Sequence, residues 1–450
     1  LDSGAPSGTI VINNNAEYTT STAVTLTLSA TDMGSGVSQM QFSNDGTNWS
    51  TPEAYATSKS WNLATGDGTK TVYAKFKDVA GNWSNEASDT ITLDTIAPSQ
   101  PTIDAVTSPT NTNSQTITGA KSEDAATITV TCATATVGAV GYPTSTTWSC
   151  QLTNLTEGDN NISVTAQDAA GNQSSAATGI FLNTTPPSQP TINTVTSPTT
   201  VNSQTISGTK STDATSIIVT CPTATVGQVT YPTSTTWSCQ LTNLTEGNNS
   251  ISVKAQNASG GQSSAATASI LLDTTAPAGT ITINNGAQYT YSLYVTLTLS
   301  ATDTGSGVSQ MKFSNDNTNW STAEAYATSK SWTLATGDGT KTVYAKFKDV
   351  TGNWSNPVSH TIILNTIAPV IAITSPANNF VATTQTINVL GTIDDNEATV
   401  TVNGVDATVS NGTFTANNVT LNEGQNTVTA TAINLMGNST SVSITVTCQP

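Results

Sequence analysis

A hexapeptide divides this sequence at nearly constant intervals. The chain opens with LDSGAP, and close variants of this phrase begin at Leu93, Leu182, Leu272 and Leu364. Successive copies lie 92, 89, 90 and 92 residues apart, so the 450 residues contain five sections of similar length. A section of this size is long enough for one small domain with its own core. We number these sections repeats one to five.

The five repeats belong to three sequence types. Repeats one and four are near copies, since TLTLSATDMGSGVSQMQFSNDGTNWS at 25–50 matches TLTLSATDTGSGVSQMKFSNDNTNWS at 296–321. Repeats two and three are also near copies, as SQTITGAKS at 114–122 and SQTISGTKS at 203–211 show. Repeat five diverges from both types, which gives the order A-B-B-A-C. The expected domains are residues 1–95, 96–184, 185–274, 275–366 and 367–450.

Apolar residues alternate with polar residues inside each repeat. In TKTVYAKFKD at 69–78, Val72, Ala74 and Phe76 fall on one face, and the lysines fall on the other. Similar short patterns recur at 160–167 and 386–393, bounded by clusters of Asn, Gly, Pro and Ser. A period of two over five to eight residues predicts half-buried antiparallel strands. No stretch shows a convincing helical period, so the sequence predicts an all-β protein built from sandwiches.

Each hexapeptide is expected to join two domains. It starts with the last apolar residue of a closing strand, continues with Asp or Asn, and ends in proline. Proline fixes φ and cannot donate a ladder hydrogen bond, so it ends the sheet and stiffens the connection. Because the chain begins with this phrase, we expect it to be a segment of a longer array, the alternative being a mature N-terminus that kept a recurrent phrase.

These features together resemble tandem bacterial Ig-like repeats. The resemblance is carried by the D/N-x-x-A/P-P joint, the D-x-x-G-N hairpin and the sandwich-length period, and it covers all five repeats. It implies five tandem immunoglobulin-like β-sandwich domains in an elongated array. It also implies an extracellular or cell-surface location, and it implies no particular ligand.

Charge narrows the range of partners. The net charge is −17, all twelve basic residues are lysines, and only 9% of the residues are charged. Binding of nucleic acid or of an anionic membrane surface relies on clustered Lys and Arg, so neither partner is expected. No apolar stretch approaches the roughly 20 residues that a membrane helix needs. The expected partners are further copies of the chain, other surface proteins or a glycan.

Four of the five cysteines occur in matched pairs. Cys132 and Cys150 of repeat two correspond to Cys221 and Cys239 of repeat three. The equal spacing predicts two intradomain disulfides, Cys132–Cys150 and Cys221–Cys239, and an oxidising compartment. The alternative is four reduced cysteines in the two cores. Cys448 has no counterpart and is expected to be free, paired with another chain, or paired with a residue beyond this sequence.

The sequence contains no convincing catalytic constellation. His360 is the only histidine, and its counterpart in repeat one is Asp89. No metal-binding C-x-x-C, P-loop or H-E-x-x-H motif occurs, so we expect no enzyme.

Calcium is the one cofactor that the sequence raises. Asp78, Asp168 and Asp349 recur in D-x-x-G-N turns, and further aspartates lie at the joints. Oxygen-rich loops there would suit Ca²⁺. Repeats three and five replace the turn aspartate by Asn257 and Asn434, an exchange that preserves a turn but removes ligand charge. We therefore expect tight hairpins and no bound metal, with calcium as the alternative.

Repeats one and four each carry three tryptophans. Trp83 and Trp354 directly follow the hairpin turn, where a side chain can be exposed. An exposed indole beside Asn and Asp can stack on a sugar ring, so these two are candidate glycan contacts; the alternative is packing in the core or at the joint.

The sequence thus favours a non-enzymatic extracellular structural protein. Such a rod of Ig-like domains would serve as a fibre or filament subunit, a stalk or an adhesin segment. An accessory carbohydrate-binding region of a secreted polysaccharide-active enzyme is the alternative.

Overall fold

The computed structural model describes residues 1–449, and its regular structure is almost entirely β-strand. Among these residues the only helical segments are two single 3-10 turns, Asn13–Asn15 and Asn284–Gly286. The all-β expectation is therefore confirmed. The chain divides into two compact units, one with Leu1–Thr191, Thr209–Ile218 and Lys254–Ala266, and the other with Ile192–Gly208, Val219–Val253 and the residues from Thr267 onward.

Repeat one folds into two facing sheets. Its strands are β1 (Ser7–Ile12), β2 (Tyr18–Thr19), β3 (Ala23–Thr31), β4 (Val37–Ser43), β5 (Glu53–Ala54), β6 (Ser58–Asn62), β7 (Gly68–Asp78) and β8 (Ala87–Leu93). One sheet has the order β1-β3-β6 and the other the order β2-β8-β7-β4-β5. The short β2 runs parallel to β8, and the other pairs are antiparallel.

The sheets of repeats two and three have at most four strands, whereas the larger sheet of repeat one has five. Repeat two contains β9 (Gln115–Ala120), β10 (Thr127–Thr131), β11 (Thr136–Thr144), β12 (Thr147–Thr153), β13 (Gly158–Gln167) and β14 (Gln173–Leu182). Its sheets have the orders β11-β12-β9 and β10-β13-β14. Repeat three contains β15 (Gln204–Thr209), β16 (Ala214–Thr220), β17 (Thr225–Val226), β18 (Thr230–Thr233), β19 (Thr236–Thr242), β20 (Gly247–Asn257) and β21 (Ala266–Leu272). One of its sheets has the order β15-β19-β17, with β18 also paired to β19.

Repeat four reproduces repeat one strand for strand. It contains β22 (Ala278–Ile283), β23 (Tyr289–Thr290), β24 (Tyr294–Thr302), β25 (Val308–Ser314), β26 (Glu324–Ala325), β27 (Ser329–Thr333), β28 (Gly339–Asp349) and β29 (Val358–Leu364). The sheets have the orders β22-β24-β27 and β23-β29-β28-β25-β26.

Repeat five is a sandwich of four and five strands. It contains β30 (Ile371–Ser375), β31 (Phe380–Ala382), β32 (Thr386–Ile393), β33 (Thr399–Val402), β34 (Val405–Asp406), β35 (Thr408–Ser410), β36 (Thr413–Thr420), β37 (Gly424–Ile433) and β38 (Ser439–Cys448). The orders are β30-β32-β36-β35 and β31-β38-β37-β33-β34.

The inward faces of the strands follow the alternation in the sequence. In β7, Val72, Ala74 and Phe76 are fully buried, whereas Lys75 and Lys77 are only half-buried. The apolar side chains collect into separate clusters, and those of repeats one, two, four and five each draw on one repeat alone. Each of these four repeats therefore stabilises itself by burying its own apolar surface.

The last strand of each of repeats one to four ends on the first residue of a hexapeptide. Strands β8, β14, β21 and β29 end at Leu93, Leu182, Leu272 and Leu364. Each of these leucines is buried, and the chain after it leaves the sheet. The joint therefore starts where the sequence pattern predicts it to start.

Candidate functional site

The second residue of each internal hexapeptide is held by the repeat that precedes it. The main-chain N–H of Asp94 donates to the carbonyl of Thr19 at 3.0 Å, and Asp273 does the same to Thr199 at 2.9 Å. The equivalent bonds of the other two joints are Asn183 to Thr110 at 2.9 Å and Asn365 to Thr290 at 3.0 Å. Because these bonds use the backbone, Asp and Asn are equally suited to the position.

The following repeat holds the same hexapeptide from its other side. In repeat two, the side-chain amide of Asn172, the last residue of D-A-A-G-N, donates to the carbonyl of Asp94 at 2.9 Å. The corresponding bonds are Asn82 to Asp2 at 3.2 Å, Asn353 to Asp273 at 3.0 Å and Asn438 to Asn365 at 2.8 Å. The D-x-x-G-N hairpin and the hexapeptide are thus two halves of one contact, which we call the joint lock.

Repeat three keeps the joint lock with a different donor. Its turn reads NASGG, so glycine stands where the other turns carry the final asparagine. Here the first residue of the turn, Asn257, donates to the carbonyl of Thr185 at 3.0 Å. The Asp-to-Asn exchange at Asn257 therefore supplies the amide that the turn otherwise lacks.

The hairpin interpretation of these turns is confirmed by their geometry. Asp168 accepts hydrogen bonds from the backbone of Gly171 and Asn172 at 2.7 and 2.9 Å. The amide oxygen of Asn434 in repeat five accepts the equivalent bond from the backbone of Asn438, and a second bond from that of Met436. The turn glycines Gly81, Gly171 and Gly352 have φ values of 103°, 99° and 112°. These values lie in the region that favours glycine.

Three aspartates converge at the hexapeptides that open repeats one and four. Each group joins the hexapeptide, the D-x-G-S-G loop and the D-x-x-G-N turn: Asp2, Asp32 and Asp78 in repeat one, and Asp273, Asp303 and Asp349 in repeat four. One oxygen of each residue lies within 4.8 Å of the others. That spacing matches oxygens on opposite sides of a cation bound at about 2.4 Å. We call these groups the aspartate triads.

The sequence pattern indicated the hexapeptide and turn aspartates of each aspartate triad but not the third member. Asp32 and Asp303 lie in a loop that carries no recognised metal motif. The only available signal was the near-identical D-x-G-S-G segment of the two repeats, which duplication alone explains. Repeat two has a joint and a turn aspartate, Asp94 and Asp168, but no such loop.

Hydrogen bonds favour the ionised form of the hexapeptide aspartate in each aspartate triad. Burial raises the pKa of Asp273, but hydrogen bonds from Ser306 and Thr275 outweigh it, so the pKa lies below its ordinary value. A hydrogen bond from Ser35 likewise lowers the pKa of Asp2. A Cβ on Gly305 would lie 2.3 Å from the Asp273 carboxyl carbon, so only glycine lets that carboxylate approach the loop. Ionised oxygens of this kind are what a hard divalent cation binds.

The two predicted disulfides are not formed in the structure. Cys132, Cys150, Cys221 and Cys239 are all free thiols buried in the cores. Cys132 follows β10 of one sheet and lies near the Thr134 hydroxyl, at 3.5 Å. Cys150 lies in β12 of the facing sheet and donates to the Gly138 carbonyl at 3.4 Å. The equal spacing brings both thiols of a repeat into its interior, but it does not pair them. The predicted disulfides Cys132–Cys150 and Cys221–Cys239 are therefore wrong, and the four residues are buried, reduced cysteines.

Cys448 is also a buried free thiol. It ends β38 inside the core of repeat five, and its Sγ lies 3.4 Å from the Thr384 carbonyl.

Trp83 and Trp354 lie on outward sheet faces, each with a lysine over its ring. Lys77 Nζ lies 5.6 Å from the centre of the Trp83 ring, and Lys348 Nζ lies 5.8 Å from that of Trp354. Both indoles are half-buried. They form bridges with β7 and β28 and are outside the apolar clusters of their repeats. The two residues thus remain candidates for glycan contact.

The tryptophans Trp61 and Trp332 serve packing instead. Trp61 contacts the fully buried Phe42 with 5.5 Å between ring centres, and its indole N–H donates to Asn44 at 2.8 Å. Trp332 repeats the ring contact with Phe313 at the same distance. Both pack against the apolar cores of their repeats.

Two repeats match known family models. Residues 101–184 match a bacterial Ig-like domain, and residues 369–449 match domain B of glucodextranase. Comparison with curated proteins gives no match. No helix among residues 1–449 has the length and apolar character of a membrane span.

Several solved structures of repeat and modular proteins match this chain at low sequence identity. A tetra-tandem repeat from the extending region of a large adhesion protein is 20% identical, over 81% of this chain and 100% of that chain, with a TM-score of 0.30. Invasin, a bacterial integrin-binding protein, is 15% identical over 84% of this chain and 82% of its own, with a TM-score of 0.24. The fibronectin(III)-like modules of Clostridium thermocellum CbhA are 15% identical over 38% of this chain and 94% of theirs, with a TM-score of 0.27.

The match of residues 101–184 to a bacterial Ig-like domain supports the sequence resemblance, and the other repeats of this chain also fold into two sheets. The chain is a tandem Ig-like repeat protein.

Proposed function

We propose that this chain is a non-enzymatic extracellular structural protein whose Ig-like domains form an extended array on a cell surface. It would act as a fibre or filament subunit, a stalk or an adhesin segment. The observation that carries the proposal is the joint lock, because each internal hexapeptide is bonded to the repeat before it and to the repeat after it. Such bonding limits bending, which a load-bearing spacer requires.

Proline adds to the stiffness of the joints. In the joint between repeats one and two, Pro98 is buried four residues after Asp94, whose backbone bonds to both repeats. Only three residues separate these two fixed points. A connection this short gives the joint little conformational freedom.

Calcium at the aspartate triad of repeat four would further stiffen the joint between repeats three and four. Asp273 belongs to the hexapeptide that ends repeat three, while Asp303 and Asp349 belong to repeat four. A cation shared by the three carboxylates would tie the hexapeptide to two loops of repeat four. We propose Ca²⁺ because all ligands are oxygens and the triad is strongly anionic.

Association with other copies or other surface proteins would use exposed strands. Strand β18 pairs with β19, and all four of its residues are exposed. Strands at sheet edges offer unpaired backbone groups to an added strand.

Small-angle scattering of the full chain tests the structural role. We expect an elongated particle whose largest dimension changes little with temperature below unfolding. A compact globule would contradict the proposal. Replacing the joint donors Asn172 and Asn353 by Ala should broaden the distribution of interdomain distances, while replacing the exposed Asn356 should not.

A second candidate function is glycan binding through Trp83 and Trp354. It is favoured by the half-buried indoles on outward faces and by the similarity of repeat five to a domain of glucodextranase. We expect Trp83→Ala and Trp354→Ala to abolish retention on insoluble glycan without unfolding the protein. If the wild-type chain is not retained, this candidate fails.

A further inference from the structure

Repeats one and four differ in charge on one sheet face. Where repeat one has Gln41 and Glu86, repeat four has Lys312 and Pro357. The replacements add one cation and remove one acid within a pair of otherwise near-identical repeats. We define the lysine face as Lys312, Lys346, Lys348, Trp320 and Trp354 of repeat four.

The lysine face brings two like charges together. Lys312 of β25 and Lys346 of β28 are directly opposite partners in the antiparallel register. Like charges in such a cross-strand position destabilise a sheet. At the same position of repeat one, Gln41 faces Lys75, and Lys75 forms an ion pair with Glu86 at 3.2 Å. Within residues 1–449, no ion pair engages Lys312, Lys346 or Lys348.

Two indoles hold these ammonium groups in place. Lys312 Nζ lies 4.3 Å from the centre of the Trp354 ring and 5.4 Å from that of Trp320. Lys346 Nζ lies 4.9 Å from the centre of the Trp320 ring. Cation–π contacts at these distances restrict the otherwise flexible lysine side chains. A ligand that binds them therefore loses less side-chain entropy on association.

We propose that the lysine face binds an acidic polysaccharide. Carboxylates or sulfates of such a polymer would pair with Lys312, Lys346 and Lys348, and the apolar faces of its sugar rings would contact the exposed parts of Trp320 and Trp354. Charge complementarity supports an anionic occupant, since none of the three clustered lysines forms an ion pair within the described residues 1–449. The proposal rests on the second candidate function and adds to it the charge of the glycan and the repeat that binds it.

The near-identity of the two repeats supplies matched variants. Lys312→Gln places in repeat four the residue that the same position of repeat one already carries, so the fold should be unaffected. Gln41→Lys combined with Glu86→Pro converts repeat one in the opposite direction. Trp354→Ala removes an indole that contacts two of the lysines.

The experiment measures binding of the full chain to polygalacturonate, dextran sulfate and neutral dextran at low and high salt. We expect binding to at least one acidic polymer that weakens with salt, and no comparable binding to dextran. Lys312→Gln should weaken the interaction at least about tenfold, since a hydrogen bond to a charged group is worth about 1.5–3 kcal/mol. The double variant of repeat one should strengthen binding in the otherwise wild-type chain.

The outcomes separate this inference from the function on which it rests. If all three polymers bind equally and Trp354→Ala abolishes binding while Lys312→Gln does not, glycan binding holds and the acidic preference is wrong. If no polymer binds, both are wrong. If sedimentation velocity instead shows self-association that Lys312→Gln abolishes, and no polymer binds, the occupant is a second copy of the chain and the proposal is overturned.

Discussion

The side-chain amide of Asn353 donates a 3.0 Å hydrogen bond to the main-chain carbonyl of Asp273, which lies 80 residues earlier. The same amide also donates to the Asp349 carboxylate at 2.7 Å. One side chain thus closes the turn of repeat four and fixes the hexapeptide that leads into it.

Removing this amide should loosen the joint selectively. We expect Asn353→Ala to destabilise the turn and joint by about 1–2 kcal/mol, since both hydrogen bonds are lost. Hydrogen exchange and limited proteolysis should show faster opening of the LDTTAP segment at 272–277. Asn356→Ala, which alters an exposed residue of the same loop, is the control. Equal protease sensitivity of the two variants would show that the bond contributes nothing to the joint.

The aspartate triads predict a defined calcium stoichiometry. The wild-type chain should bind two Ca²⁺ ions in a calorimetric titration, with a rise in the melting temperature. Asp349→Asn should leave one site, because asparagine keeps the turn, as Asn257 and Asn434 show, but removes ligand charge. Asp78→Asn together with Asp349→Asn should leave none.

The matched control for calcium is Asp168→Asn. This residue occupies the same turn position in repeat two, where no triad forms. The Asp168→Asn variant should still bind two Ca²⁺ ions. Failure of the wild-type chain to bind Ca²⁺, or equal losses in the Asp168 and Asp349 variants, would eliminate the triads as cation sites.

The cysteines should behave as five buried thiols. Burial raises the pKa of the Cys150 and Cys239 thiols and outweighs the opposing hydrogen bonds to Gly138 and Gly227. The higher pKa disfavours the reactive thiolate. The native chain should therefore react slowly with a thiol reagent, and the denatured, unreduced chain should release five equivalents. Reductant should leave the melting temperature unchanged. Release of a single thiol equivalent from the denatured, unreduced chain would instead show that the two predicted disulfides are formed.

The hairpin around Asp45 should lose stability only in strong acid, when the Asp45 carboxylate becomes protonated. The backbone N–H of Asn48, its side-chain amide and the backbone N–H of Thr47 donate to the Asp45 carboxylate and lower its pKa well below the ordinary range. The stabilisation is complete above the unfolded pKa of about 3.9 and is lost as the pH falls through the lower folded pKa.

Carboxyl chemical shifts measured by NMR across the acid range test this effect. In the wild-type chain, Asp45 should stay ionised below the pH at which an unfolded aspartate takes up its proton. Asn48→Ala should move the Asp45 transition upward, toward the ordinary value. An unchanged transition in that variant would show that the hydrogen bonds do not control the titration.

The parts of the fold that follow from local pattern were predictable. Val72, Ala74 and Phe76 are buried as the period of two requires, because alternate strand residues face opposite sides of a sheet. The hexapeptide leucines end their strands for a similarly local reason: each is the last inward-facing apolar residue before the segment that ends in proline.

Contacts over long separations were not predictable in this way. Asn172 and Asp94 are 78 residues apart, and their bond depends on how the sheets place a turn beside a joint. The aspartate triads needed Asp32 and Asp303, whose loop positions carry no periodic signal. The cysteine prediction was wrong because the spacing of 18 positions places both thiols in one core but does not fix their sulfur atoms against each other.

The joint lock also bears on how such a chain changes length. Each hexapeptide carries the groups that bond backward and the carbonyl that bonds forward, while every repeat supplies its own turn. A gene duplication or deletion that runs from one hexapeptide to the next would therefore add or remove a whole module and leave every remaining connection intact. The duplicated pairs in this sequence are what such modular growth would produce, and each event would change the length of the chain by one domain.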